Sequence, residues 1–266
     1  MVKLQVLSKG EHEMETTDVL QSIFRWAHIV AGILWIGLLY FFNWVNSAFV
    51  PTMDAETKKK VIPELMPRAL FWFRWGAAWT WFTGIGLLII VYYHGGLLFD
   101  EGSWNLAAIV MLAVTFLGVF VYDAIMKTLG KSNMMAAMLL GLALIAGAIY
   151  LMGNWAGFGY RGYAIHLGTL FGTIMAFNVW YRIMPAQRKI ITAIKNGEGP
   201  DPALVGLAGM RSKHNTYLSI PLVWLMMNQH TTWASTNWLY TVGIVAFGWW
   251  IGSMLFRKAP KVSTGL

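Results

Sequence analysis

The 266-residue chain contains no cysteine, and only 12% of its residues are charged. Without cysteine, it cannot form disulfides, thiolate metal sites, iron–sulfur clusters or the covalent attachment of c-type haem. Soluble domains have about 25% charged residues, so roughly half of the expected charge is missing. The sequence also lacks a clear internal repeat, which argues against a secondary transporter. No apolar region follows a basic start, which argues against a cleavable signal peptide.

Apolar side chains are abundant: 57% of the residues are hydrophobic, and the mean hydropathy is +0.54. Several apolar runs approach the roughly 20 residues that a helix needs to cross a bilayer. We therefore predict an all-α polytopic transmembrane bundle in a bacterial inner (plasma) membrane, with lipid as its surroundings. A single transmembrane domain is expected over 23–258, with a polar N-terminal tail at 1–22 and a C-terminal tail at 259–266. The seven predicted spans are about 23–45, 69–93, 104–126, 133–152, 163–184, 215–231 and 238–256.

The chain has a net charge of +8, and its basic residues are confined to particular loops. Lysine and arginine concentrate after the first, third, fifth and seventh predicted spans, whereas the N-terminal tail is net acidic. Cytoplasmic loops of membrane proteins are enriched in lysine and arginine, so this pattern predicts the N-terminus outside and the C-terminus inside. The same confinement to loops argues against nucleic-acid binding.

The histidines in and beside the predicted spans differ in depth. Those near the outer face lie on four different spans and are His28, His94, His166 and His230. His214 lies at the inner end of span six, and its separation of 16 residues from His230 corresponds to about 24 Å of helix. Since ionisable residues in membrane spans indicate function by default, we predict haem b near the outer face. With no cysteine in the chain, this haem is held non-covalently.

His28, His166 and His230 are the predicted metal ligands, and which two share an iron stays open. His28 and His166 lie deepest in their spans. Each has a glycine close by, Gly32 and Gly168, which is expected to leave room for a flat macrocycle. His94 is a further candidate for cofactor binding.

Four charged residues near the predicted span ends are also candidates for a role. Arg25 and Arg161 lie on the outer side and are predicted to pair with haem propionates or an anionic substrate. Interfacial snorkelling is the alternative for both. On the inner side, Arg74 and Asp123 each lie about one turn within a span. We predict that they form an ion pair, because an unpaired charge at that depth is costly.

Two long segments resemble a known family: IHLGTLFGTIMAFNVWYRIMPAQRKIITAIKNGEGPDP and RSKHNTYLSIPLVWLMMNQH. They are similar to the membrane domain of bacterial urate hydroxylases, cytochrome-c-linked enzymes whose N-terminal urate oxidase domain spans the membrane. Two earlier segments, RWAHIVAGILWIGLLYFFNWVNS and FWFRWGAAWTWFTGIGLLIIVYY, resemble the same domain. The resemblance extends over about 24–233.

The resemblance implies functional importance for the matching positions, which are His28, His166, Asn178, Arg211, His214, Asn215 and His230. Family members typically continue into one more span and a periplasmic c-type cytochrome. In this chain, the c-type cytochrome is therefore expected to be a separate polypeptide. In the tract GAAWTW, Gly76 stands where the resemblance leads us to expect an acidic residue.

Three functions are compatible with these observations. The leading hypothesis is a haem-b-binding redox membrane protein, related to urate hydroxylases, that exchanges electrons with a periplasmic c-type cytochrome. The second is a urate (purine) hydroxylase or oxidase in its own right. The third is a non-catalytic membrane-anchor subunit of a larger respiratory complex, with other membrane subunits as partners.

Overall fold

The computed structural model describes residues 2–262, with side-chain surroundings from residue 16 onward. Positions 1 and 263–266 of the two predicted tails lie outside the described residues. Between 2 and 262 the chain is helical and has no strand, apart from one isolated bridge between Phe99 and Phe158. The α-helices in this part of the chain are α1 (Val2–Tyr40), α2 (Ser47–Phe49), α3 (Ala55–Leu87), α4 (Leu106–Lys127), α5 (Leu129–Ser132), α6 (Met134–Asn154), α7 (Tyr160–Phe177), α8 (Met184–Lys195), α9 (Pro202–Met227), α10 (Thr232–Ser235) and α11 (Trp238–Lys258).

Five helical segments are long and apolar enough to cross a membrane, namely Thr16–Thr52, Ala55–His94, Leu106–Ser132, Met134–Asn154 and Trp238–Lys261. Their outer faces expose large apolar side chains, such as Ile33 (69% exposed), Leu139 (62%) and Phe247 (59%). Apolar surface of this extent marks contact with a membrane or another apolar partner. The predicted helical membrane bundle is therefore confirmed.

The predicted fifth and sixth spans form α7 and α9, which lie at the centre of the bundle. These two helices contact each other; α7 also contacts α3, α4 and α6, and α9 contacts α1, α8 and α11. Neither helix is among the five apolar segments, because both contain buried polar side chains such as His166, Arg211 and Asn215. The count of seven spans and the orientation of the termini stay predictions.

Local sequence explains where several helices begin. Five helices start after an Asn or Asp whose side chain accepts a hydrogen bond from a backbone N–H two or three residues later. Such caps satisfy one of the free N–H groups of the first turn. The capping residues are Asp54, Asn105, Asn133, Asp201 and Asn237. Helix α1 has an earlier start than the predicted first span, because it begins at Val2 within the predicted polar tail.

Three helices widen into π-helical turns at their C-terminal ends. These turns are Phe41–Asn46 after α1, Leu88–His94 after α3 and Asn178–Ile183 after α7. A π-helical turn shifts the following side chains around the helix axis, and such turns are frequent at functional sites. Each of the three contributes a side chain to one of the sites described below.

Candidate functional site

A buried hydrogen-bond network joins α4, α9 and the π-helical turn after α7. At its centre, Asn178 Nδ2 donates to Asn215 Oδ1 (2.8 Å) and to the Tyr122 hydroxyl (3.0 Å). Asn215 Nδ2 in turn donates to the Met175 carbonyl (2.9 Å). Because Asn178 and Asn215 are fully buried and bonded to each other, they fix the register between the two central helices.

The charged part of this network is centred on Asp123. Its carboxylate bonds Arg211 Nη2 (2.8 Å) and Lys127 Nζ (2.8 Å), and also receives two bonds from Arg182. Arg211 is 1% exposed, and its Nη1 lies 3.5 Å from Asn178 Oδ1. A buried guanidinium needs such a partner, because an isolated buried charge is strongly destabilising.

The predicted ion pair between Arg74 and Asp123 is wrong. Arg74 instead lies over the rings of Phe71, Trp75 and Trp180, with its Cζ 5.5 to 6.0 Å from their centroids. The reason is the arrangement of the helices: α4 packs on α7 and α6, whereas α3 packs on α1, α7 and α8. Asp123 therefore meets arginines that follow α7 or lie on α9.

His214 connects the network to a cavity. Its Nδ1 lies 3.0 Å from the Tyr122 hydroxyl. A cavity of about 540 Å³ lies beside this pair, between α4, α6, α7, α9 and α11. Four family-motif positions, Arg211, His214 and Asn215 on α9 and Asn178 after α7, are thus brought together with Tyr122 and Asp123 of α4. The three segments are far apart in sequence.

At the opposite end of the bundle, His28 is half-buried between α1 and α3. Its Nδ1 lies 2.9 Å from the Thr80 carbonyl and 3.3 Å from Thr83 Oγ1. A carbonyl can only accept, so Nδ1 carries the proton and Nε2 keeps its lone pair. Gly84 makes this position possible, because a Cβ there would lie 2.9 Å from His28 Cε1.

His166 is fully buried and has partners at both ring nitrogens. Its Nδ1 donates to the Gly162 carbonyl (2.6 Å), and its Nε2 accepts from the Tyr93 hydroxyl (2.9 Å). The Phe158 ring packs 5.0 Å from the imidazole, centroid to centroid. His166 is thus in the tautomer that suits metal ligation, with Tyr93 bonded where a metal would be.

The third predicted ligand, His230, is exposed in the turn after α9, and the cofactor-binding candidate His94 is exposed at the end of its π-helical turn. Among the side chains that the structure describes, no three His, Cys, Asp or Glu residues lie close enough to hold a metal ion. The structure therefore does not gather His28, His166 and His230 into one metal site. Haem ligation by two histidines stays a prediction.

The two glycines expected to leave room for a macrocycle contact neighbouring helices. A Cβ at Gly32 would lie 3.8 Å from the Thr80 side chain. A Cβ at Gly168 would lie 3.0 Å from Met226 Cε and 3.4 Å from Leu225 Cβ. Small residues at these positions allow close helix approach, so neither glycine opens space beside a histidine in this structure.

Arg25 and Arg161 lie at the same end of the bundle as His28 and His166. Both guanidinium groups act electrostatically on the Tyr92 hydroxyl, although they belong to α1 and α7. Within 16–262, no carboxylate forms an ion pair with either of them. Guanidinium groups can bind anionic groups, and an anion-binding role of these two arginines stays a prediction.

Tyr93, Tyr122 and Arg182 are site residues that sequence reasoning missed. Tyrosines near span ends are common in membrane proteins, and Arg182 is one of several basic residues in its loop. The one available signal was Asp123, a carboxylate inside an apolar run that requires a cationic partner. That signal indicates a charged network without identifying its members.

Together, the fold and these two groups of residues define a helical membrane protein. A buried polar network lies at one end of the bundle, and at the other end lie Arg25, His28, Arg161 and His166, here called the histidine–arginine cluster. The chain belongs to the urate oxidase N-terminal family, whose sequence model matches residues 52–263, about four fifths of the chain. The match includes the whole inner network and His166, whereas His28 and Arg25 precede it. No curated protein and no solved structure matches the chain.

Gly76, expected to be acidic from the resemblance, lies in a tight helix crossing. A Cβ at this position would lie 3.3 Å from Trp35 Cβ and 3.4 Å from the Ala31 carbonyl. A carboxylate side chain therefore does not fit at Gly76 unless α1 and α3 separate. In this chain, the position contributes to packing.

Proposed function

We propose that this chain is a haem-b-binding redox membrane protein that exchanges electrons with a c-type cytochrome. The observation that supports the proposal is the tautomer of His28 and His166. In both residues a backbone carbonyl holds the proton on Nδ1, which leaves Nε2 as the lone-pair nitrogen. Ligating histidines in metalloproteins are oriented by such an outer hydrogen bond.

The chemistry of the donor atoms at this end of the bundle suits a haem, provided that one bond rearranges. Both hydrogen bonds of the His28 ring are made by Nδ1, and its Nε2 bonds no described side chain. At His166, Tyr93 must leave Nε2 before iron can bind there. Arg25 and Arg161 would pair with its propionates. When bound, the haem would supply one-electron redox chemistry.

Reduced-minus-oxidised absorption spectra of the purified protein test the proposal. We expect a b-type band that disappears in His28→Ala and in His166→Ala. The band should persist in the matched control His214→Ala, because His214 lies on α9 at the opposite end of the bundle. Reduced protein should also transfer electrons to an added c-type cytochrome. A fully folded, iron-free preparation with no band contradicts the proposal. Co-purifying subunits in that case would favour the anchor role.

A second candidate, a urate or purine hydroxylase, is favoured by a smaller pocket of about 300 Å³ at the π-helical turn Phe41–Asn46. Phe42 and Phe73 line it together with the amides of Asn46 and Gln187. Among the described residues, the Asn46 amide makes one weak bond, of 3.8 Å to Met66 Sδ. Amides beside aromatic rings match the donor and acceptor edges of a planar purine.

Consumption of urate in the presence of oxidised cytochrome c tests this second function. We expect turnover by the wild type and at least tenfold lower kcat/KM in Asn46→Leu and Gln187→Leu, since each loses a hydrogen-bonding amide. Asn154→Leu is the control, because Asn154 is exposed and bonds only its own helix, at the Tyr150 carbonyl. Absence of turnover, or equal loss in all three variants, rejects this function.

A further inference from the structure

The cavity beside His214 is long and mostly apolar. Its lining residues on α4 run from Val114 to Met126, which corresponds to about 18 Å of helix, and those on α6 run from Met134 to Ala148, about 21 Å. Most of the wall consists of Val, Ile, Leu, Met, Phe and Trp side chains. Its volume of about 540 Å³ is typical of sites for small organic ligands.

Polar groups in this wall gather towards one end. Tyr122, Lys213 and His214 lie near the C-terminal end of α4, whereas the Val114 end is lined by apolar residues. A ligand that complements this wall has a polar ring at one end and an apolar chain at the other. Its polar ring must meet the Tyr122–His214 pair.

The hydrogen-bond network assigns the proton of His214. Tyr122 has one proton to donate and two lone pairs to accept with. Asn178 Nδ2 can only donate to its oxygen (3.0 Å), so among the bonded partners of the hydroxyl in the described structure His214 Nδ1 is the acceptor. The hydroxyl proton therefore goes to His214 Nδ1, and the neutral imidazole carries its own proton on Nε2. His214 thus offers an N–H donor and no lone pair for a metal.

We propose that this cavity binds a quinone-class lipid, with a quinone carbonyl accepting a hydrogen bond from His214 Nε2–H. The apolar chain of the lipid lies along α4 and α6. The tautomer of His214 favours this ligand over a haem, because it is opposite to that of His28 and His166. The donor at the end of the cavity favours it over a saturated lipid, which has no acceptor in its chain.

Titration of the purified protein with decylubiquinone, followed by tryptophan fluorescence, tests the proposal. Trp249 lines the cavity and is a natural reporter of quinone quenching. Gly141 also lines the cavity, and a Cβ there meets nothing within 4 Å. Gly141→Leu should therefore fill the cavity without disturbing the fold and weaken binding at least tenfold. Gly147→Leu is the matched control, since Gly147 is on the same helix, has equally open space and lies outside the cavity.

Two further comparisons separate the possible occupants. His214→Phe should weaken decylubiquinone binding about tenfold, in line with the loss of one hydrogen bond, whereas decylbenzene should bind much more weakly than decylubiquinone to the wild type. Equal binding of decylbenzene would show a site for any apolar chain and overturn the proposal. Three other results would overturn the proposal as well. They are loss of a haem band in Gly141→Leu, unchanged quinone binding in that variant, and no quinone binding by the wild type.

Discussion

Asp123 neutralises a guanidinium that has almost no access to solvent. Of its three cationic partners, Arg211 is the buried one (1% exposed), while Lys127 and Arg182 are partly exposed. A charge in a low-dielectric interior must be paired, and removal of one partner of a buried pair typically costs about 3–5 kcal/mol. At the scale of the residue, burial of Arg211 therefore depends on its ion pair with Asp123.

Asp123→Asn should lower the thermal unfolding midpoint in detergent, because it leaves Arg211 buried without a counter-charge, at a cost of roughly 3 kcal/mol. Tryptophan fluorescence on heating measures this midpoint. Glu64→Gln is the control, since Glu64 pairs with Arg68 on the surface, where an ion pair is worth about 0–1 kcal/mol. Similar midpoints for both variants would contradict a central role for Asp123.

Tyr93→Phe distinguishes a ligand role of His166 from a purely structural one. The substitution removes the hydroxyl bonded to His166 Nε2. If His166 binds iron, haem occupancy should be retained or increase, since the competing bond is gone. If His166 is structural, the variant should be destabilised by about 1–3 kcal/mol, because a buried nitrogen loses its partner. The ratio of haem absorbance to protein, measured together with the unfolding midpoint, separates these outcomes.

At the scale of the helix, the crossing of α9 and α11 depends on two glycines. A Cβ at Gly248 would lie 2.8 Å from Pro221 Cδ and 3.1 Å from its nitrogen, and one at Gly252 would lie 3.1 Å from the Tyr217 ring. The proline ring is rigid and part of the backbone, so it cannot rotate away. Pro221 also lacks the N–H that its helix position would use. Gly248 allows α11 to approach α9 closely at Pro221, where α9 lacks one backbone hydrogen bond.

Gly248→Ala should separate α9 from α11 and lower the unfolding midpoint, at a cost of about 1–3 kcal/mol for overpacking. Gly243→Ala is the matched control on the same helix, where a Cβ meets nothing within 4 Å. Since alanine favours helix over glycine by about 1 kcal/mol, the control should be neutral or slightly stabilised. Equal effects of the two substitutions would show that the crossing tolerates separation.

At the scale of the whole molecule, charge and apolar surface are segregated. Basic residues concentrate in the loops after alternate predicted spans, and large apolar side chains cover the faces of the long helices. The first pattern predicts orientation, and the second indicates lipid contact. In the predicted orientation, the two clusters face opposite sides of the membrane, and the histidine–arginine cluster faces the outside.

The absence of cysteine allows a direct test of this orientation, because each engineered cysteine is the only thiol. Ser103 and Glu198 are exposed, before α4 and between α8 and α9. A membrane-impermeant maleimide should label Ser103→Cys in intact cells and Glu198→Cys only after permeabilisation. The reverse labelling pattern would invert the proposed topology and place the histidine–arginine cluster on the inner side.

Part of the site was accessible from sequence alone. The motif positions Asn178, Arg211, His214 and Asn215 were singled out through the family resemblance, and all four lie in one network. Their partner Tyr122 was not singled out, because tyrosines are common near the ends of membrane spans. The helical membrane fold was predictable because long apolar runs and Asn or Asp caps act within one helix.

The sequence by itself determined the long apolar helices, the membrane environment and the family, because each depends on residues close together in the chain or on their overall composition. Only the tertiary structure decided that Asp123 pairs with Arg182 and Arg211 instead of Arg74. It also decided that the Tyr93 hydroxyl bonds Nε2 of His166. These contacts depend on which helices are neighbours. That choice is set by side-chain packing between distant segments, and by π-helical turns that rotate individual residues into or out of a site.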